Sequence, residues 1–122
     1  MNKIVFITGV LLTFVCNLCF ATDNNITVYY FHSSVRCKTC INIERMIKEA
    51  VNSIPTTTFK AINTDETDNK HYLTDYGLYT KSVVLVKPTG EWKNLDKIWS
   101  LVRSEDDFKN YITTETNNFM EK

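Results

Sequence analysis

From residue 26 onward the chain alternates between two hydrophobic rhythms. Ile26-Thr27-Val28-Tyr29-Tyr30-Phe31-His32 is β-branched and aromatic, the composition of a buried first strand. After the connection Ser33-Ser34-Val35-Arg36 the rhythm lengthens. Ile43, Met46, Ile47, Ala50, Val51 and Ile54 recur at helical spacing, with Glu44, Arg45, Lys48, Glu49 and Asn52 opposite them. This predicts an amphipathic helix that Pro55 forbids from continuing. Thr57-Thr58-Phe59-Lys60-Ala61-Ile62-Asn63 reads as a second strand. Parallel pairing with the first is expected, because a helix lies between them.

The remaining pattern is shorter-ranged. Residues 65–68 form an acidic turn expected to cap a short helix through Tyr72, Leu73 and Tyr76, with Gly77 as its stop. Ser82-Val83-Val84-Leu85-Val86-Lys87 is the clearest strand in the chain. Pro88-Thr89-Gly90 turns it into Glu91-Trp92-Lys93-Asn94-Leu95, an antiparallel hairpin partner. Residues 96–102 suggest a helical turn or two. Ser104, with Asp107 three residues on, resembles a capping box opening a last helix. That helix carries Phe108, Tyr111, Ile112 and Phe119 on one face. The predicted order is βαβαββα: an α/β domain whose mixed sheet of about four strands is covered by helices on both faces.

Composition narrows the function classes. With 122 residues the chain makes one domain, and 14 basic against 14 acidic residues leave no net charge. No basic run tracks a phosphate backbone, so no nucleic-acid partner is expected. Ser33-Ser34 has no paired base at a hydrolase spacing. The first 21 residues differ from the rest. Lys3 precedes an uncharged, mostly apolar stretch over 4–20, and Cys19-Phe20-Ala21 offers small residues at the cleavage-determining positions. This predicts a signal peptide over 1–21, cleaved after Ala21, ahead of a folded domain over 22–122. Export to the periplasm follows. The alternative is a membrane anchor formed by the same segment left uncleaved.

Cysteine placement carries the candidate chemistry. Cys16, Cys19, Cys37 and Cys40 form C-x2-C-x17-C-x2-C, a zinc-like spacing. Its first pair lies in the leader, however, so cleavage leaves only Cys37-Lys38-Thr39-Cys40. That pair opens the first helix, where free N–H groups and the macrodipole favour a thiolate. Cys40 precedes Ile43 by three and Ile47 by seven and so joins the buried stripe, whereas Cys37 can remain exposed. One accessible and one sheltered thiol suit an attacking and a resolving cysteine. Arg36 and Lys38 add positive charge near Cys37, and its pKa is predicted to lie below the free-thiol value of about 8.5. Cross-linking so short a loop removes little chain entropy, which argues against a purely structural disulfide. The alternatives are binding of Cu, Zn or As by Cys37 and Cys40, with His32 as a third ligand, and a docking module without turnover. His71 is a weaker ligand candidate.

With C-x-x-C after the first strand, the chain resembles the thioredoxin-like superfamily across its whole mature length. Tyr76-Gly77-Leu78, residues 82–86 and Gly90-Glu91 match its second half in spacing. More narrowly, the chain resembles the small exported proteins of the ArsF family, labelled nitrophenyl-compound nitroreductase subunit. Tyr29-Tyr30-Phe31-His32, Arg36-Cys37-Lys38-Thr39-Cys40, Leu78-Tyr79-Thr80-Lys81-Ser82-Val83-Val84-Leu85-Val86 and Trp92-Lys93-Asn94-Leu95 carry that likeness. The resemblance implies an oxidoreductase needing no cofactor. It would exchange electrons with a protein disulfide or dithiol, a membrane electron-transfer protein being one candidate. The ArsF label adds a role beside a membrane partner in aromatic arsenical handling. Arg36, Lys38, Thr39, Tyr79, Lys81 and Ser82 would form the partner groove. Three departures mark it out from thioredoxins: Ser82 stands in place of the cis-proline, Phe31 in place of the buried acid, and Arg36 in place of tryptophan. A non-proline cis bond costs about 3–4 kcal/mol, so Lys81–Ser82 is expected to be trans.

Overall fold

A computed structural model describes residues 25–122; the predicted leader, with Cys16 and Cys19, lies outside the described residues. The elements run β1 (Ile26–His32), α1 (Lys38–Asn52), β2 (Thr57–Asn63), a 3-10 turn (Thr67–Asn69), α2 (His71–Asp75), β3 (Ser82–Val86), β4 (Trp92–Asn94), α3 (Ile98–Leu101) and α4 (Glu105–Met120). The four strands form one sheet in the order β2-β1-β3-β4. β1 is parallel to β2, with Ile26 opposite Thr57, and antiparallel to β3, with Phe31 opposite Ser82. β3 and β4 pair antiparallel. The two edge strands are half-exposed or short, as unpaired edges tend to be. Among the described residues no helix is long and apolar enough to cross a membrane.

Alternation along β1 divides the core. Ile26, Val28 and Tyr30 point to one face and pack with Ile43, Met46, Ile47, Phe108 and Ile112 from α1 and α4. Tyr29 and Phe31 point to the other, where Phe31, Leu78 and Val84 meet Ile62, Tyr72 and Tyr76. Helices therefore cover both faces, as expected. Each fully buried aliphatic side chain contributes about 1.5–3 kcal/mol relative to exposure, so the larger cluster dominates stability. It also fixes the start of α1, because Cys40 lies on the same stripe as Ile43 and Ile47.

Gly77 ends α2 at φ 60°, and the Leu78 N–H reaches the Leu73 carbonyl at 2.8 Å. A Cβ at Gly77 would meet nothing within 4 Å. Gly77→Ala should therefore cost only the left-handed backbone term, about 1 kcal/mol in chemical denaturation.

The start of α4 differs from expectation. Ser104 makes no side-chain cap hydrogen bond, so the capping box does not form. Asp107 is one methylene short of the Glu or Gln that would reach back to the cap N–H. Glu105, Asp106 and Asp107 instead place negative charge against the positive end of the helix dipole. Glu105 also joins an exposed network between α1 and α4. Arg45 bonds Glu49 at 2.9 Å and Glu105 at 3.1 Å, while Lys109 bonds the same two carboxylates at 2.5 and 2.9 Å. Hydrogen bonds from Arg45 and then Lys109 hold the Glu105 carboxyl down to about 2. A depressed carboxyl stabilises the fold above its unfolded value, near 4.3, and loses that contribution as pH falls towards its folded one. Melting temperature should thus decline from pH 5 to pH 2.5 at low salt. Glu105→Gln should flatten the decline, and high salt should do the same by screening an exposed network.

Candidate active site

α1 begins on the dithiol itself. Cys37 is the N-cap in an extended conformation, and its sulfur accepts a hydrogen bond from the Cys40 backbone N–H at 3.2 Å. That donor is one of the unsatisfied N–H groups of the first turn, aimed at the sulfur that would carry negative charge. The two cysteines are joined as a disulfide with Cα atoms 5.1 Å apart. Cys37 is exposed and Cys40 only 4% exposed, the predicted asymmetry. The Tyr30 hydroxyl, at the floor of the core, donates to the Cys40 carbonyl at 3.4 Å. Burial raises the Tyr30 phenol above its ordinary value, so it remains a neutral donor at physiological pH.

The loop entering the site is held from β2. The His32 carbonyl accepts from the Thr64 N–H at 2.8 Å and from its hydroxyl at 3.2 Å. The Ser34 N–H donates to the Asp65 carboxylate at 2.8 Å, and Asn63 Nδ2 donates to Ser34 Oγ at 3.1 Å. Asp65 therefore anchors the cysteine loop. The expected acidic cap is not formed, since neither Glu66 ahead of the 3-10 turn nor Lys70 ahead of α2 makes a side-chain cap bond. The pattern Asn63-Thr64-Asp65 contains turn formers, but its target 31 residues away leaves no trace in local sequence.

Charge around the sulfurs is arranged differently from the sequence expectation. Arg36 forms an ion pair with Glu44 on α1, so its charge is shared with a carboxylate and not directed at Cys37 alone. Lys38 is exposed. Lys81, expected only as a groove residue, places its ammonium 2.7 Å from the Cys40 sulfur.

The predicted groove residues do not share one groove. Tyr79, Thr80 and Lys81 join His32, Ser33 and Asp65 around a cavity of about 340 Å³. Lys38 and Thr39 line a broader hollow with Ile41, Arg45 and Arg103. Arg36 lines neither, and Ser82 is buried with its hydroxyl donating to the Thr80 carbonyl at 2.9 Å. Tyr79 stands 95% exposed beside the first cavity. His32 Nδ1 lies 2.9 Å from the Ser33 carbonyl, and His71 Nδ1 lies 2.8 Å from Asp75. No group of three or more His, Cys, Asp or Glu residues able to hold a metal occurs among the described residues, so His32 is not brought together with both cysteines as a ligand set.

All peptide bonds among the described residues are trans, Lys81–Ser82 included, as expected for serine at that position. Phe31 is 1% exposed and rings of Tyr29, Tyr72 and Tyr76 surround it at 5.2 to 5.8 Å. Phe31 thus belongs to an aromatic cluster and brings no ionisable group beneath the dithiol. Two features decide the architecture: the sheet order β2-β1-β3-β4 with only β1 and β2 parallel, and a C-x-x-C opening the helix after β1.

The fold is thioredoxin-like. Among solved structures, a malarial protein aligns with TM-score 0.44 at 11% identity, covering 66% of this chain and 97% of its own. A thioredoxin from Thermus thermophilus aligns with TM-score 0.36 at 16% identity, covering 65% of this chain and 72% of its own. No family model matches the sequence, and no curated protein matches it.

Proposed function

We propose that this thioredoxin-like domain is a thiol–disulfide oxidoreductase acting through Cys37 and Cys40. One observation carries the reading: a disulfide at the first turn of α1 with one sulfur exposed and the other buried. Cys37 is the sulfur a partner can reach, and the α1 N-terminus favours it as a thiolate. Cys40 is the sheltered resolving thiol. Partner and protein exchange two electrons as the ring opens and closes, which needs no cofactor. The predicted leader adds export to the periplasm as the setting. The resemblance to the ArsF-family proteins adds a membrane electron-transfer partner and aromatic arsenical handling. Tyr79, Thr80 and Lys81 on one side, with Lys38 and Thr39 on the other, flank the path to Cys37 and constitute the proposed docking rim.

Redox titration against glutathione tests this. The full domain is equilibrated at graded ratios of reduced to oxidised glutathione, free thiols are trapped with a maleimide, and the mass gain is read. A two-electron transition with a midpoint above about −300 mV is expected. A pair that stays oxidised beyond that range is a passive structural disulfide, and the reading fails.

A further inference from the structure

Lys81 belongs to the loop before β3, yet its ammonium rests against a sulfur 41 residues earlier in the chain. Two contacts set its position. Ser82 is paired with Phe31 across β1 and β3, which brings the start of β3 to the end of β1. The Ser82 hydroxyl bonds the Thr80 carbonyl at 2.9 Å and tightens the turn that carries Lys81. Among the described residues no carboxylate forms an ion pair with Lys81, so the sulfur receives the cation undivided. The sulfur it touches is the buried one. A thiolate confined there without a counter-charge would be costly, and Phe31 supplies no group for proton exchange.

We infer that Lys81 is a catalytic residue that stabilises the Cys40 thiolate as the leaving group, making the disulfide an oxidant for a partner carrying a dithiol. The inference rests on the oxidoreductase reading above. A partner thiolate attacks Cys37 Sγ; the partner-sulfur–Cys37 bond forms and the Cys37–Cys40 bond breaks. The electron pair goes to Cys40 Sγ beside the Lys81 ammonium, which balances its charge. The partner's second thiolate then attacks its own sulfur in the mixed disulfide and releases Cys37 as a thiolate facing the Cys40 N–H. The partner leaves as a disulfide, and the protein leaves as a dithiol. Two electrons have moved to the protein, and protons lost by the partner are taken up by the two released thiolates or by solvent. A leaving thiol of lower pKa departs faster. Lys81 therefore acts on the rate and on the equilibrium in the same direction.

The test compares wild type, Lys81→Met and Lys81→Arg in the full domain, with circular dichroism and melting to establish folding. Reduction of the disulfide by dithiothreitol is followed in time, and the glutathione equilibrium is measured alongside. Lys81→Met should slow reduction roughly fivefold or more and shift the equilibrium towards the disulfide by about tenfold, or about 30 mV for two electrons. Lys81→Arg, which retains the cation, should stay near wild type. If Lys81→Met reduces at the wild-type rate, or Lys81→Arg falls as far as Lys81→Met, charge at residue 81 does not stabilise the leaving sulfur and the inference is overturned. Either result would leave the redox reading standing if wild type still titrates. A wild-type disulfide that glutathione cannot reduce would instead remove the oxidoreductase reading and this inference with it.

Discussion

Cys37→Ser is expected to abolish thiol–disulfide exchange outright, while Cys40→Ser still undergoes a single covalent step and then stops. The difference follows from exposure. Cys37 is open to solvent, whereas Cys40 is 4% exposed beneath the first turn of α1. A partner sulfur must approach along the axis of the bond being broken, and only Cys37 offers such a path. In Cys40→Ser the remaining Cys37 thiolate keeps its N-terminal helix environment, although nothing is left to displace a captured partner. With oxidised glutathione, this variant should gain the mass of one glutathione and hold it; wild type should pass through the same adduct and close its ring. Cys37→Ser should show neither behaviour. The assignment of roles fails if Cys37→Ser captures glutathione as fast as Cys40→Ser, because the buried sulfur would then be the reactive one.

Phe31→Ala is expected to cost about 3–5 kcal/mol by denaturant unfolding, as for other buried phenylalanines truncated to a methyl group. Its ring is 1% exposed, and it packs on Tyr29, Tyr72 and Tyr76 where β1 meets α2. That cluster joins α2 to the sheet, and the buried Leu78 that follows α2 belongs to it as well. Phe31→Asp, which puts an acid in the place of the ring, should be more damaging still. It loses the same packing and also places a carboxyl at a position only 1% exposed. Burial would raise that carboxyl, so the charged form is the costly one. The deficit should narrow as pH falls towards the ordinary carboxylate range, where the group folds neutral. A Phe31→Asp domain as stable as wild type at pH 7 would show that the aromatic cluster contributes little.

Local pattern made most of the scaffold legible. The β-branched run Ile26–His32 and the stripe from Cys40 to Val51 are periodic over several turns, and they appear with nearly the expected bounds. The buried position of Cys40 follows from that same stripe. The failures share a different character. Ser104 and Asp107 have capping-box spacing, but a side chain one methylene too short leaves the box open. Asp65, read as a helix cap, bonds the Ser34 N–H instead.

By itself the sequence determined the order of strands and helices, the burial of one cysteine and the exposure of the other. Each depends on a hydrophobic period within a single element, which neighbouring residues write directly into the chain. Tertiary structure alone decided the surroundings of the dithiol: Arg36 drawn to Glu44, the cysteine loop tied to Asp65, and Lys81 set against the Cys40 sulfur. The last two contacts depend on where β2 and β3 enter the sheet on either side of β1. The first depends on how the loop leaving β1 folds back over α1. Side chains converging from separate elements leave no periodic mark, because their spacing in sequence is set by intervening elements and not by the chemistry they share.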